Sequence, residues 1–232
     1  MEKKPIEIWY GDLDETDTAY RKNWLLLGPD ERSRAGKITN AVHRNQYVSA
    51  QGMIRTLLSR YTQTDPNNIV FGKGEYGKPY LASDRRVDFN LSHSGGKMAL
   101  AIGRCGPIGV DIETWKPRIN LPGLAKKCFA DEERIHWESL PEKLQLPAFY
   151  DFWTKKESFV KAVGRGIAMG VHRCVISPED SMRFLSIPEI YGVPEDWKVF
   201  TLDVGEAVSG ALTVSNRPYE ITLRNFNQGL ML

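Results

Sequence analysis

No stretch of this 232-residue sequence is apolar for long enough to span a bilayer. The amino-terminal MEKKPIEIWYGDL also lacks the apolar core of a secretion signal. A cytoplasmic protein without membrane contact is the expectation. Cysteine is scarce: Cys105, Cys128 and Cys174 are odd in number, far apart and free of C-x-x-C spacing. That pattern argues against both a disulfide framework and a zinc site, and leaves reduced thiols. Neither sign of charge dominates, with 31 basic against 29 acidic residues and a formal charge of +2. With no basic run either, the electrostatic footprint of a general nucleic-acid binder is missing. Low-complexity segments and disordered linkers are absent. What remains, 41% hydrophobic and 26% charged, is the composition of a globular chain that can form one large domain or two ordinary halves.

The order of patterns suggests halves. IEIWY reads as a strand, followed by a loop and then by GPDERSRAGKI, a helix start. Tyr47, Ala50, Ile54, Leu57, Leu58 and Tyr61 recur at helical spacing and predict a helix over 41–61. Two apolar runs in VDFNLSHSGGKMALAIG flank a polar turn, on which Ser92, His93 and Ser94 are expected to sit. From about residue 106 the order returns loosely: the strand IGVDIE, the acidic helix start FADEERIHW, a helix over 147–164, then WKVFTLDV, AVSGALTV and YEITLRN as an antiparallel meander. The expected organisation is an α+β half over 1–105 and a second over 106–232, with a cleft at their junction.

Two stretches carry chemistry. In GVDIETW the β-branched residues favour an extended segment, so Asp111 and Glu113 project from the same face. Paired carboxylates repel unless a cation lies between them, and Mg²⁺ held by one or two carboxylates together with a phosphate is one solution. An acidic solvent face on an edge strand is the other. In FYDFWTKKESFVKAVGRG, Phe149, Phe152, Trp153, Val160 and Val163 form an apolar stripe ended by GRG. Glu157 and Lys161 are spaced i, i+4 beside it, the geometry of an anion site or of a plain surface ion pair. Lys156 falls inside the stripe, where its charge needs a partner such as a bound phosphate. NLSHSGG and GKGEYGKPYL add His93 and the loop lysines Lys73 and Lys78, groups that suit an anion and that ordinary turns also carry.

Taken in order, GKPYL, NLSHSGG, GVDIETW and WTKKESFVK resemble the signature of the Sfp-type 4′-phosphopantetheinyl transferases, over about residues 44 to 166. The resemblance implies an α+β fold of two pseudo-symmetric halves and transfer of the phosphopantetheine arm of coenzyme A to a serine of an apo acyl, peptidyl or aryl carrier protein. Adenosine 3′,5′-bisphosphate is the implied by-product. It further implies Asp111, Glu113 and Glu157 as Mg²⁺ ligands, and Lys161 with His93 on the pyrophosphate. Lys78, Pro79 and Ser92, with Lys73 and Arg44, would hold the nucleotide. A lysine of some relatives falls at Glu31 here, so Arg32 or Arg34 is expected in its place. A monomer is implied, because two halves in one chain complete the site.

The reaction would need charge neutralisation and in-line positioning. Glu157 can act as general base if the cleft raises its pKa; a water on the metal, polarised by Glu113, is the alternative. A metal-dependent pyrophosphohydrolase would use the same groups, and a non-catalytic binder would need fewer of them. The segment 120–134 lies between the two motifs and offers Leu124 and Phe129 as apolar anchors for a carrier, with Lys126 and Lys127 beside them. A core helix with solvated lysines is the competing reading.

Overall fold

A computed structural model describes residues 3–13, 16–117 and 120–229, the side chains at 167, 168 and 229 excepted. The first run of elements is β1 (Lys4–Asp12), α1 (Asp17–Leu26), α2 (Pro29–Lys37), α3 (Ala41–Thr62), β2 (Phe71–Lys73), β3 (Pro79–Leu81), β4 (Asp88–Ser94) and β5 (Lys97–Gly103). The second is β6 (Ile108–Thr114), α4 (Leu121–Cys128), α5 (Asp131–Ser139), α6 (Glu142–Val163), β7 (Val175–Ile176), β8 (Phe184–Ser186), β9 (Trp197–Thr201) and β10 (Val208–Ser215). Each is a strand, three helices, a two-stranded hairpin and two further strands. β11 (Tyr219–Asn225) and α7 (Phe226–Gly229) follow.

The repeat extends to pairing. Sheet order is β1-β5-β4 in the first half and β6-β10-β9 in the second, so each half sets its first strand beside its last. The long helices α3 and α6 both have 22 residues. Ala50, Ile54, Leu57 and Leu58 of α3 pack on the first sheet, and Phe149, Phe152, Phe159 and Val160 of α6 lie in the core of the second half. The other faces of the sheets meet in one apolar cluster, where Ile6, Ile8, Ala99 and Ala101 join Ile108, Val110, Ile112 and Leu212. Fully burying an aliphatic side chain contributes about 1.5–3 kcal/mol, and this shared layer binds the halves together.

A buried ion pair is also duplicated. Glu31, at the third position of α2, accepts from the N–H of Gly28 at 2.6 Å and pairs with Arg55 of α3 at 2.8 Å. Glu133, at the third position of α5, accepts from the N–H of Ala130 at 2.8 Å and pairs with Lys156 of α6 at 2.6 Å. Arg55 donates onward to the carbonyls of Pro66 and Ile69, and Lys156 to those of Val171 and Cys174.

Four local expectations are corrected. The segment after β1 forms α1, capped by Thr16, rather than only a loop; it buries no residue fully, so its apolar period is weak. Ser92, His93 and Ser94 lie on β4 and not on the turn, because pairing with β5 runs to Ser94 and Lys97. The turn is Gly95–Gly96, whose φ values of 57° and 80° suit a tight two-residue hairpin. α6 starts at Glu142 and carries Pro147 inside it, past the first turn, where the ring removes one backbone hydrogen bond without ending the helix. The meander stops at β10, which is paired on both sides by β6 and β9; β11 instead joins β1 in parallel, Ile6 facing Ile221.

Candidate active site

The site forms where β4 of the first half runs beside β6 of the second. Val110 donates its N–H to Asn90 Oδ1 at 2.8 Å, which fixes the two strands against each other. Ser92 then donates to Asp111 Oδ1 at 2.8 Å and Ser94 to Glu113 Oε2 at 2.6 Å. The alternation read from GVDIETW holds: Asp111 and Glu113 share the face toward α6, while Val110 and Ile112 enter the apolar layer. Gly109 brings α6 close, for a Cβ there would lie 2.0 Å from the carbonyl oxygen of Ser158. Only with a bare α-carbon can the helix bring its Glu157 and Lys161 over the strand's carboxylates.

Lys161 pairs with Asp111 at 2.6 Å and donates to Ser92 at 2.9 Å. It is therefore not the partner of Glu157 in a surface ion pair. Asp111 is 3% exposed. Burial pushes its carboxyl up, Lys161 and Ser92 pull it down, and Glu113 pushes it up again. Its Oδ2 is buried with no hydrogen-bond partner, an acceptor that a cation would complete. Glu157 is pushed up to about 7 by loss of hydration and by Asp111, against the pull of Lys161, with Glu113 adding to the rise. His93, on the more exposed side of β4, is held below its ordinary value, first by partial loss of hydration, then by Lys161 and Arg34. Its imidazole is neutral at pH 7.

Among the described residues no three carboxylate, imidazole or thiolate groups form a ready metal cage. The donor set is instead a buried Asp111 oxygen with Glu113 and Glu157 near it, all hard oxygens. That suits Mg²⁺, which keeps water and phosphate oxygens in its shell. At the equivalent places of the first half stand Trp9 and Arg60, the guanidinium 5.9 Å from the ring centre. The repeat thus carries carboxylates in its second copy and an aromatic in its first.

The remaining sequence candidates separate. Arg34 is the exposed basic residue of α2 that lies over the Tyr47 ring, 5.2 Å from its centre, and acts electrostatically on His93. Arg32 turns away onto Trp24 and the carbonyl of Leu25. Arg44 is half-buried one turn before Tyr47 on α3. Pro79 and Lys78 line a cleft of about 450 Å³ with Tyr76, Tyr80, Arg85 and Arg165. Lys73 is exposed on β2 and does not line that cleft. Lys156 is corrected: it is fully buried against Glu133 and the carbonyl of Cys174, so the partner its charge required is protein and not phosphate. Phe129 is likewise core, packed edge-on against Trp137 and Phe152 and tilted against Phe149, whereas Lys126 and Lys127 are exposed. Sequence reasoning missed Asn90, and saw Ser94 without its role. Both lie at i, i+2 spacing with Ser92, and that polar alternation on one strand face was the available signal.

Comparison with known proteins agrees with this geometry. Residues 107–214 match the model of the 4′-phosphopantetheinyl transferase superfamily, and residues 14–104 match that of the 4′-phosphopantetheinyl transferase N-terminal region. The chain is similar to the 4′-phosphopantetheinyl transferase HetI of a Nostoc species, 32% identical over 167 residues, 70% of each chain. It is similar to the Bacillus subtilis 4′-phosphopantetheinyl transferase ffp, 31% identical over 202 residues, 87% of this chain and 88% of the relative. With the 4′-phosphopantetheinyl transferase Sfp of the same species it shares 27% over 204 residues, 88% and 89% of the two chains.

Proposed function

The chain belongs to the 4′-phosphopantetheinyl transferase superfamily, and from that premise we propose that it moves the phosphopantetheine arm of coenzyme A onto a serine of an apo acyl, peptidyl or aryl carrier protein. The observation that carries the reading is the seam itself. Lys161 and the Ser92 hydroxyl converge on a buried Asp111 whose second oxygen is unpartnered, with a proton-poised Glu157 beside it. The serine oxygen bonds to the β-phosphorus of the pyrophosphate while the bond to the bridging oxygen breaks, releasing adenosine 3′,5′-bisphosphate. Glu157, whose carboxyl the metal-free cleft lifts to about 7, is the base that takes the hydroxyl proton. Lys161 keeps one proton on Asp111 and turns another toward the phosphates, and neutral His93 donates from its N–H. Asp111, Glu113 and Glu157 would hold Mg²⁺, which supplies positive charge to the pyrophosphate when bound.

The cleft lined by Tyr76, Lys78, Pro79, Arg85 and Arg165 takes the nucleotide, with Arg34 and Arg44 on the 3′-phosphate side. Among the described residues no helix is long and apolar enough to cross a membrane; that the enzyme is cytoplasmic and acts as a monomer is part of the proposal. Incubation with an apo carrier, coenzyme A and Mg²⁺, followed by weighing the carrier, tests the reading. A gain of one phosphopantetheine is expected; steady hydrolysis of coenzyme A with no gain on any carrier class would replace transfer by hydrolysis.

A further inference from the structure

One half-buried cation of the cleft wall, Lys78, uses its donors on the protein itself. Lys78 belongs to the turn between β2 and β3 of the first half, yet its ammonium leaves that half. It donates to the carbonyl of Ile108 at 2.7 Å and to that of Ala162 at 3.0 Å. Both acceptors adjoin the site. Ala162 directly follows Lys161, and Ile108 begins the strand that carries Asp111. Ala162 also lies in the last turn of α6, where carbonyls lack partners within the helix and a cation is favoured. Gly164 ends that helix in the left-handed region at φ 74°, and a Cβ there would lie 3.3 Å from the Lys78 stem. The lysine stem and the helix end are fitted to each other.

We propose that Lys78 is a positioning residue: it staples the first half's cleft loop to β6 and α6, and so sets where Lys161 and Asp111 stand relative to a nucleotide in the cleft. The inference rests on the function proposed above. The repeat supplies an internal comparison. Arg183 precedes β8 as Lys78 precedes β3, and the N–H of Ser177 bonds the Arg183 carbonyl as that of Gly74 bonds the Lys78 carbonyl. Arg183 lines a cavity within its own half, beside Phe184 and Trp197. Reaching across is therefore a property of Lys78 and not of the hairpin. An ammonium engaged by two backbone carbonyls acts on geometry, and misplacement of a reacting group by an ångström can cost about a hundredfold in rate.

The test compares wild type with Lys78→Met, which keeps the stem and removes the donors, and Lys78→Arg, which keeps charge and donors. Steady-state transfer is measured against coenzyme A, and amide hydrogen exchange is followed in substrate-free protein. For Lys78→Met, kcat is expected to fall roughly ten- to a hundredfold with KM for coenzyme A within about twofold of wild type. Exchange should quicken at 108–110 and 162–166, and Lys78→Arg should recover part of both losses. A raised KM with kcat intact would make Lys78 a ligand-holding residue and overturn the proposal, as would unchanged kcat and exchange. If wild type transfers to no carrier, the functional reading fails by itself; unchanged exchange in Lys78→Met would then still overturn the staple. Should Lys78→Met not fold, Lys78→Gln takes its place in the same measurements.

Discussion

Replacing Glu157 by glutamine should abolish transfer and at the same time make the protein more stable, by an amount that depends on pH. The folded state lifts this carboxyl from 4.5 to about 7. Between those values the folded protein binds the proton more tightly than the unfolded chain does, so the contribution of Glu157 to stability declines as pH rises through that window. Each pH unit of displacement corresponds to 1.36 kcal/mol, which makes the full penalty about 3 kcal/mol at pH 8 and close to nothing below pH 4.5. Glutamine fills the same space and carries no proton to lose. Urea unfolding of both proteins from pH 5 to 8.5 reads the difference directly. The Glu157→Gln advantage should be small at pH 5, grow to about 2–3 kcal/mol by pH 8, and correspond to several degrees in melting temperature. Added Mg²⁺ at pH 8 should narrow the gap by stabilising wild type more than the variant. Two curves separated by a constant amount at every pH would refute the reasoning, since they would show that Glu157 is not strained by its surroundings.

Asp111→Ala should leave the fold intact and remove nearly all transfer, measured at limiting Mg²⁺; wild-type rates there would dismiss the metal assignment. Lys156→Met should behave oppositely: because it strands a buried Glu133 carboxylate, it should cost about 3–5 kcal/mol in unfolding experiments, and any folded fraction should bind coenzyme A normally. Replacing Lys126 and Lys127, both exposed in the last turn of α4, by glutamate should raise KM for an acidic carrier at low ionic strength and leave that for coenzyme A alone. An unchanged carrier KM would move the docking surface elsewhere.

Much of the site could be read from local pattern. The alternation in GVDIETW and the stripe of α6 specify which side chains share a face, and both kinds of face depend only on neighbours along the chain. The similarity of PDERSRA to ADEERIH was visible as a faint echo, and the structure shows what it encodes: the same capping glutamate delivered twice to a cation on a long helix. Partners distant in sequence were not legible. Lys156 announced that it needed an anion, but nothing near it in the chain pointed to Glu133. The destination of β11 depends on which sheet edge is already occupied, and that is a property of the assembled sheets.

The parallel pairing of β11 with β1 also sets an order in time. Synthesis completes β5 at residue 103, while the strand that covers the outer edge of β1 ends at residue 225. At roughly 5–20 residues per second the interval is on the order of ten seconds. Throughout it, the first half on the ribosome presents an open β-edge that includes Ile6 and Ile8, the kind of edge that recruits a foreign strand. The segment that covers the outer edge of β1 is thus made only after both halves, and a chain stopped before residue 219 would leave that edge open.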